Sequence, residues 1–279
     1  MLAKQYIRMK NNQSLWSFPT LPNAKITKAQ AAIESARLIK KLATIQDKLY
    51  GQNKYSVLIV LQGMDTSGKD STVKRVFSGV NPAGCNVKSF KVPTTVEKAH
   101  HFLWRVNAVS PQKGMIQIFN RSHYEDILIP IVHNTLKEKQ IAERCDEINA
   151  FEQGLINNNT ILLKFFLNIS HKEQLKRLET RRTKPNKRWK FQEDDIVDIN
   201  KHNTYRKAYE LIFDQCKKAA AWQIIPADKK WFKNYAILHH IVHILNDYHI
   251  EYPVLQLNQH NGTVPPVTIN KPLHQKHKP

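Results

Sequence analysis

The sequence predicts an α/β domain of three layers, a parallel sheet with helices on both faces. Short, continuously apolar, β-branched runs alternate with helical stretches along most of the chain, and no internal repeat interrupts the alternation. Runs that are apolar throughout, rather than at every second residue, belong to strands covered on both faces. By length the 279 residues suit either one domain of this kind or two smaller ones, and 41% hydrophobic with 9% aromatic residues is enough for a sizeable core.

Taken in order, residues 1–27 show little periodicity and read as an N-terminal extension, and 28–49 as an amphipathic helix ahead of the sheet. Residues 55–62 (YSVLIVLQ) are the first buried strand, followed by a glycine-bounded turn and a helix over 71–78. Further strands are expected at 86–90, 115–119 (MIQIF), 160–169 (TILLKFFLNI) and Trp222–Pro226, with helices at 99–109, 125–136, 143–158 and 201–218. In the last helix Trp231, Tyr235, Leu238, Val242 and Leu245 recur at spacings of four and three, one apolar stripe facing the sheet. The folded domain thus spans 28–255, and 256–279, rich in Pro, Asn, His and Lys, read as a flexible tail.

Lys and Arg total 43 against 23 Asp and Glu, a net charge of +20 that calls for an anionic partner. Cys85, Cys145 and Cys216 are widely spaced with no CxxC, which points to a reducing, cytoplasmic setting rather than a disulfide or zinc framework. An early-charged N-terminus without an apolar run, and an oily stretch at 236–245 interrupted by three histidines, exclude a signal peptide and a membrane span. His239 with His243, and the adjacent His100 and His101, lack a neighbouring acid or thiol and are not read as metal ligands.

Residues 63–69 (GMDTSGK) fit the G-x4-G-K phosphate loop between a strand and a helix, with Gly63 and Gly68 allowing the backbone to curl and Lys69 to bridge phosphates. Asp70 stands where Ser or Thr would hold magnesium, and Asp65 lies inside the loop. Two carboxylates among phosphate oxygens need a cation, so Asp65 and Asp70 are read as direct or water-mediated ligands of Mg2+ or Mn2+, or as groups orienting an acceptor phosphate. Ser71 or Thr72 as metal ligand in a shifted register is the alternative.

The strand at 115–119 runs into Asn120 and Arg121, where ligands meet open α/β sheets. Asn120, in place of an ATPase aspartate, keeps a metal-shell oxygen without its charge and suits transfer to an acceptor other than water; Arg121 would stabilise the transferring phosphoryl group. Residues 164–190 gather ten cations against Glu173 and Glu179, a net +8. Arg177 and Arg181 share a helical face and a Pro-broken loop at 183–189 delivers Lys187, the build of a lid over about 177–205.

Together, residues 63–70 (GMDTSGKD), 78–85 (SGVNPAGC), 89–93 (SFKVP), 102–105 (FLWR), 119–125 (FNRSHYE), 163–166 (LKFF), 189–191 (WKF) and 225–228 (IPAD) resemble the family-2 polyphosphate kinases over about residues 30–253. The resemblance implies a thymidylate-kinase-like P-loop fold with a helical lid that moves phosphoryl groups reversibly between inorganic polyphosphate and nucleotides with Mg2+. By position it carries the loop acids and lysine onto Asp65, Lys69 and Asp70, the second motif onto Asn120 and Arg121, the lid arginines onto Arg177 and Arg181, and a phosphate or nucleotide contact onto Lys91. Asn120 followed by His123, Tyr124 and Glu125 resembles the subgroup that accepts AMP as well as ADP. The implied partners are polyphosphate, ADP/ATP, GDP/GTP and AMP or GMP, with a homodimer or homotetramer as the assembly and neither a specific nucleic acid nor a membrane. An ATP-dependent nucleoside monophosphate kinase of similar fold, or a non-enzymatic nucleic-acid binder using the same basic surface, are the competing expectations.

Overall fold

The computed structural model describes residues 7–8, 14–22, 25–191 and 194–254. In chain order the elements are β1 (Ile7–Arg8), α1 (Lys28–Gln52), β2 (Ser56–Gln62), α2 (Lys69–Val76), β3 (Cys85–Ser89), α3 (Thr95–Lys98), α4 (Trp104–Asn107), β4 (Ile116–Asn120), α5 (Glu125–His133) and α6 (Glu138–Asn157). They continue with β5 (Thr160–Asn168), α7 (His171–Thr183), α8 (Pro185–Arg188), α9 (Asp194–Asn200), α10 (His202–Gln215), β6 (Trp222–Pro226) and α11 (Lys230–Asp247). The expected tail at 256–279 lies outside the described residues.

The strands form one sheet in the order β1-β6-β5-β2-β4-β3, parallel except for β1, which pairs antiparallel with β6. β2 lies at the centre between β4 and β5, and every residue of β2 and β5 is buried. That explains their uninterrupted apolar runs: neither face meets water. Helices α1 and α11 pack together on one face with α2, while α5, α6 and α10 pack together on the other. α1 begins at a capping box, in which Gln30 N donates to Thr27 Oγ1 and Thr27 N to Gln30 Oε1, and stops at Asn53 in the left-handed region.

Four local expectations change. The helix expected over 99–109 shrinks to the short α4, and a separate single turn, α3, precedes the expected span. A capping box of Thr94 and Glu97 starts the first turn early, and His100 Nδ1–H donates to the Val96 carbonyl as the turn ends. The loop expected at 183–189 contains α8, because Pro185 opens a helical turn where no backbone donor is needed. The stripe of α11 is wider than expected: Phe232, Ala236, Ile237 and Ile241 are buried too, since the helix is sandwiched between α1 and the sheet. Lys164, counted in the basic run, is fully buried on β5 and pairs with Glu152 at 2.7 Å, so it belongs to the core.

Within the extension at 1–27, Leu15 and Phe18 bury into the core, and Asn168 Nδ2 donates to the Phe18 carbonyl. Short apolar anchors of this kind carry no periodicity to read.

Candidate active site

The registers set the site. In the parallel pairing Leu61 of β2 lies beside Asn120 of β4, so both strands release their chains at the same level of the sheet. Gly63 leaves β2 at φ +151°, and a Cβ there would sit 2.9 Å from Ser67 Oγ and 3.0 Å from the Leu167 carbonyl oxygen. Thr66 at φ +62° and Gly68 at φ +96° curl the chain until α2 starts at Lys69. Lys69 Nζ folds back over this loop and donates to the carbonyls of Gly63 (2.5 Å) and Met64 (3.3 Å). Burial lowers its pKa to about 8, with Arg121 adding to the effect and Asp65, Glu125 and Asp70 opposing it.

Two hydrogen bonds join the end of β4 to the loop. Asn120 Nδ2 donates to Asp70 Oδ1 at 2.9 Å, and Arg121 Nη2 donates to Asp65 Oδ1 at 2.7 Å. Arg121 is itself held at φ +60°, a left-handed conformation unusual for a non-glycine, with its N–H on the Leu61 carbonyl. Burial pushes both acids up, but neighbouring cations and donors outweigh it. Lys69, Arg121 and Arg181 hold Asp65 below its ordinary value, and the bonds from Lys190 and Asn120 hold Asp70 at about 2. Both carboxylates therefore stay ionised at neutral pH.

A cleft beside the loop is lined by Asp65, Arg121, Glu125, Gln174, Tyr205 and Tyr209. Glu125, quoted in the sequence motif but given no role there, is pushed up by burial against the pull of Arg121 and Lys69. Its signal was its spacing: an acid four residues after Arg121, at the first position of α5.

The lid candidates divide. Arg177 is buried, and its guanidinium donates to four backbone carbonyls, those of Thr66 and Ser67 (both 3.1 Å), Ala227 (2.8 Å) and Asp228 (3.0 Å). It ties α7 to the phosphate loop from behind. Arg181, one turn on and half-buried, acts electrostatically on Asp65. Lys187 is half-buried within electrostatic reach of Lys230. Lys190 reaches the loop through its 2.7 Å ion pair with Asp70. Lys91 is exposed, and its backbone carbonyl accepts from Arg105 Nη1. The Ser71 hydroxyl donates to the Gly68 carbonyl at 2.8 Å.

Sequence reasoning missed Lys233. On α11, fully buried, it donates from Nζ to the carbonyls of Gly68 (2.8 Å) and Ser67 (3.3 Å) and approaches Ser71 Oγ at 3.4 Å. Burial, reinforced by Arg177 and Lys230, lowers its pKa to about 7. The available clue was a lysine set among Phe232, Tyr235 and Ala236 on the buried side of the helix.

Among the described residues no three or more His, Cys, Asp or Glu side chains converge as a metal cage. Asp65 and Asp70, both kept ionised, with Asn120 on the second, match instead the chemistry of a hard divalent ion that takes most of its ligands from water and phosphate. Among the described residues no helix is long and apolar enough to cross a membrane.

With this geometry in place, comparison with known proteins is direct. The family model of Polyphosphate kinase 2 (PPK2) matches residues 25–253. The AMP/ADP-polyphosphate phosphotransferase of Meiothermus ruber is 44% identical over 226 residues, covering 80% of this chain and 85% of that protein. The ADP-polyphosphate phosphotransferase of Rhodopseudomonas palustris is 35% identical over 228 residues, covering 77% and 79%. Among solved structures, Polyphosphate Kinase 2 from Arthrobacter aurescens superposes with a TM-score of 0.88 at 32% identity, over 92% of this chain and 93% of that one.

Proposed function

The chain belongs to the polyphosphate kinase 2 family and is a polyphosphate-dependent nucleotide phosphotransferase, and we propose from that premise how its residues divide the work and which nucleotides it takes. The acceptors are ADP and AMP, with GDP and GMP as further ones. The observation that supports the assignment of residues is the pair of bonds from β4 to the loop, Asn120 to Asp70 and Arg121 to Asp65, which gathers acids, amide and arginine around Lys69.

Donor and acceptor are both phosphates, so the site needs no strong base. Its task is to hold two polyanions in line and offset their repulsion. Lys69 leaves the Gly63 and Met64 carbonyls to meet phosphate oxygens. Arg121, positioned by Asp65 and by its own fixed backbone, faces the group in transfer. Arg181 and Lys187 bring positive charge from the lid and exclude water. Asp65 and Asp70, with Asn120, would hold Mg2+, which supplies charge neutralisation to the phosphate oxygens. An amide at 120 leaves no charged group there to activate water, which favours the nucleotide as acceptor. Because a phosphoanhydride is broken and another is formed, the reverse reaction extends polyphosphate from ATP on the same residues. A homodimer or homotetramer belongs to the same proposal.

The test supplies polyphosphate and Mg2+ with AMP, ADP, GMP and GDP in turn, with and without ATP. Phosphorylation of ADP and AMP without ATP is expected. Phosphorylation of AMP only when ATP is added would replace this reading with an ATP-dependent monophosphate kinase.

A further inference from the structure

Lys233 lies on the last helix, far in sequence from the phosphate loop at 63–69, and its ammonium has no exposed surface. A buried ammonium needs strong acceptors. All three oxygens within its reach belong to the phosphate loop or the first turn after it: Gly68 O at 2.8 Å, Ser67 O at 3.3 Å and Ser71 Oγ at 3.4 Å. Arg177 Nη1 holds the Ser67 carbonyl from a second direction at 3.1 Å. Two buried cations from helices distant in sequence thus grip the loop's carbonyls.

The peptide plane turns this grip into a statement about ligand binding. Within one trans peptide the C=O and the following N–H point in opposite directions. Drawing the Ser67 carbonyl towards Lys233 turns the Gly68 N–H away from it, and drawing the Gly68 carbonyl does the same for the Lys69 N–H. Gly68 is fitted to this arrangement: its φ is +96°, and a Cβ would lie 2.5 Å from Lys233 Nζ.

We propose that Lys233 is a positioning residue for phosphoryl transfer, whose buried ammonium orients the Ser67–Gly68 and Gly68–Lys69 peptides so that their N–H groups face the bound phosphates. It touches no substrate and acts through the loop backbone. Its charge also adds to the positive end of α2, where Lys69 and Asp70 begin the helix. The proposal rests on the reading of residues 63–69 as the phosphate site.

The test compares wild type with Lys233→Met, which keeps the length and apolar contacts of the side chain, and Lys233→Arg, which keeps charge and donors. Two readouts are taken: steady-state kcat and KM with ADP and polyphosphate, and the rise in melting temperature caused by inorganic tripolyphosphate with Mg2+. For Lys233→Met, kcat should fall roughly ten- to hundredfold, the range for losing a group that orients a direct ligand. The tripolyphosphate shift should largely vanish while the melting temperature without ligand stays close to wild type. Lys233→Arg should recover most of both. Wild-type kcat and an undiminished tripolyphosphate shift in Lys233→Met would overturn the proposal. If that variant does not fold, Lys233→Gln, which keeps one donor without the charge, carries the test, and wild-type kcat there overturns it equally. A wild-type enzyme inactive with polyphosphate would refute the proposed function instead, whereas the tripolyphosphate shift reads the loop without turnover.

Discussion

The turn after β4 feeds two charge clusters that look alike and behave differently. Arg121 faces the loop, where the Arg121–Asp65 and Lys190–Asp70 pairs are each 2.7 Å long, and the Asp70 side chain is 63% exposed. Three residues on, Tyr124 points into the core, where its hydroxyl donates to Glu152 at 2.6 Å. Lys164 donates to the other Glu152 oxygen at 2.7 Å and to the Cys216 carbonyl at 2.9 Å, and neither charged side chain has any exposed surface. Pair length does not distinguish the clusters, but solvent access does. A partner at the loop can be exchanged for water, a metal ion or a phosphate at small cost, whereas removing one from the core strands an ion in a dry interior. The first cluster is suited to binding and the second to holding α6 and β5 together.

The widest separation between them should come from Lys69→Met. Its partners are loop carbonyls, so folding should survive with a near-wild-type melting temperature while kcat with ADP and polyphosphate drops about a thousandfold, as expected when a donor to the transferring group is lost. A drop under about tenfold would remove Lys69 from the reaction. Lys164→Met should give the reverse pattern. Leaving Glu152 uncompensated costs about 3–5 kcal/mol, read by denaturant unfolding, while kcat of the folded enzyme changes little. Adding Glu152→Gln should restore much of the stability. A collapse of kcat at unchanged stability would show the two clusters to be one functional unit.

The smallest effect is a pH profile that belongs to the loop alone. Lys69 has a lowered pKa of about 8, so its charge is lost as pH rises through 8 rather than through the ordinary lysine range. Profiles of kcat/KM report the free enzyme, so kcat/KM for polyphosphate should fall first as Lys233 loses its charge near pH 7 and again, in the limb that belongs to Lys69, above about pH 8. Lys69→Arg, with a guanidinium that stays charged, should lose that limb whatever activity remains. A limb unchanged in Lys69→Arg would assign it to another group.

Legibility followed how far apart in the chain the cause lay. The strand, glycine turn and helix around residues 55–78 are set by neighbours, and the sheet took the parallel form that continuous apolar runs require. The position of Asn120 and Arg121 beside the loop was readable because a strand end is a local event. Lys164 was misplaced because a lysine counts as surface charge until the strand beneath it is known to be covered on both faces. Arg177 was legible as a lid cation by its spacing, yet its guanidinium lies under Ser67 and Ala227, which only the folded chain brings together.

By itself the sequence determined the layered α/β class, the curl at Gly63 and Gly68, and the chemistry available at Lys69, Asp65 and Asp70. These depend on the period of burial and on backbone freedom, both of which are local. Which cations line the loop and its cleft and which are spent on backbone carbonyls or core acids was decided by the tertiary structure alone. An ammonium has the same charge everywhere in a sequence, and its role follows from the oxygens that the fold sets within hydrogen-bond reach and the water that it keeps out.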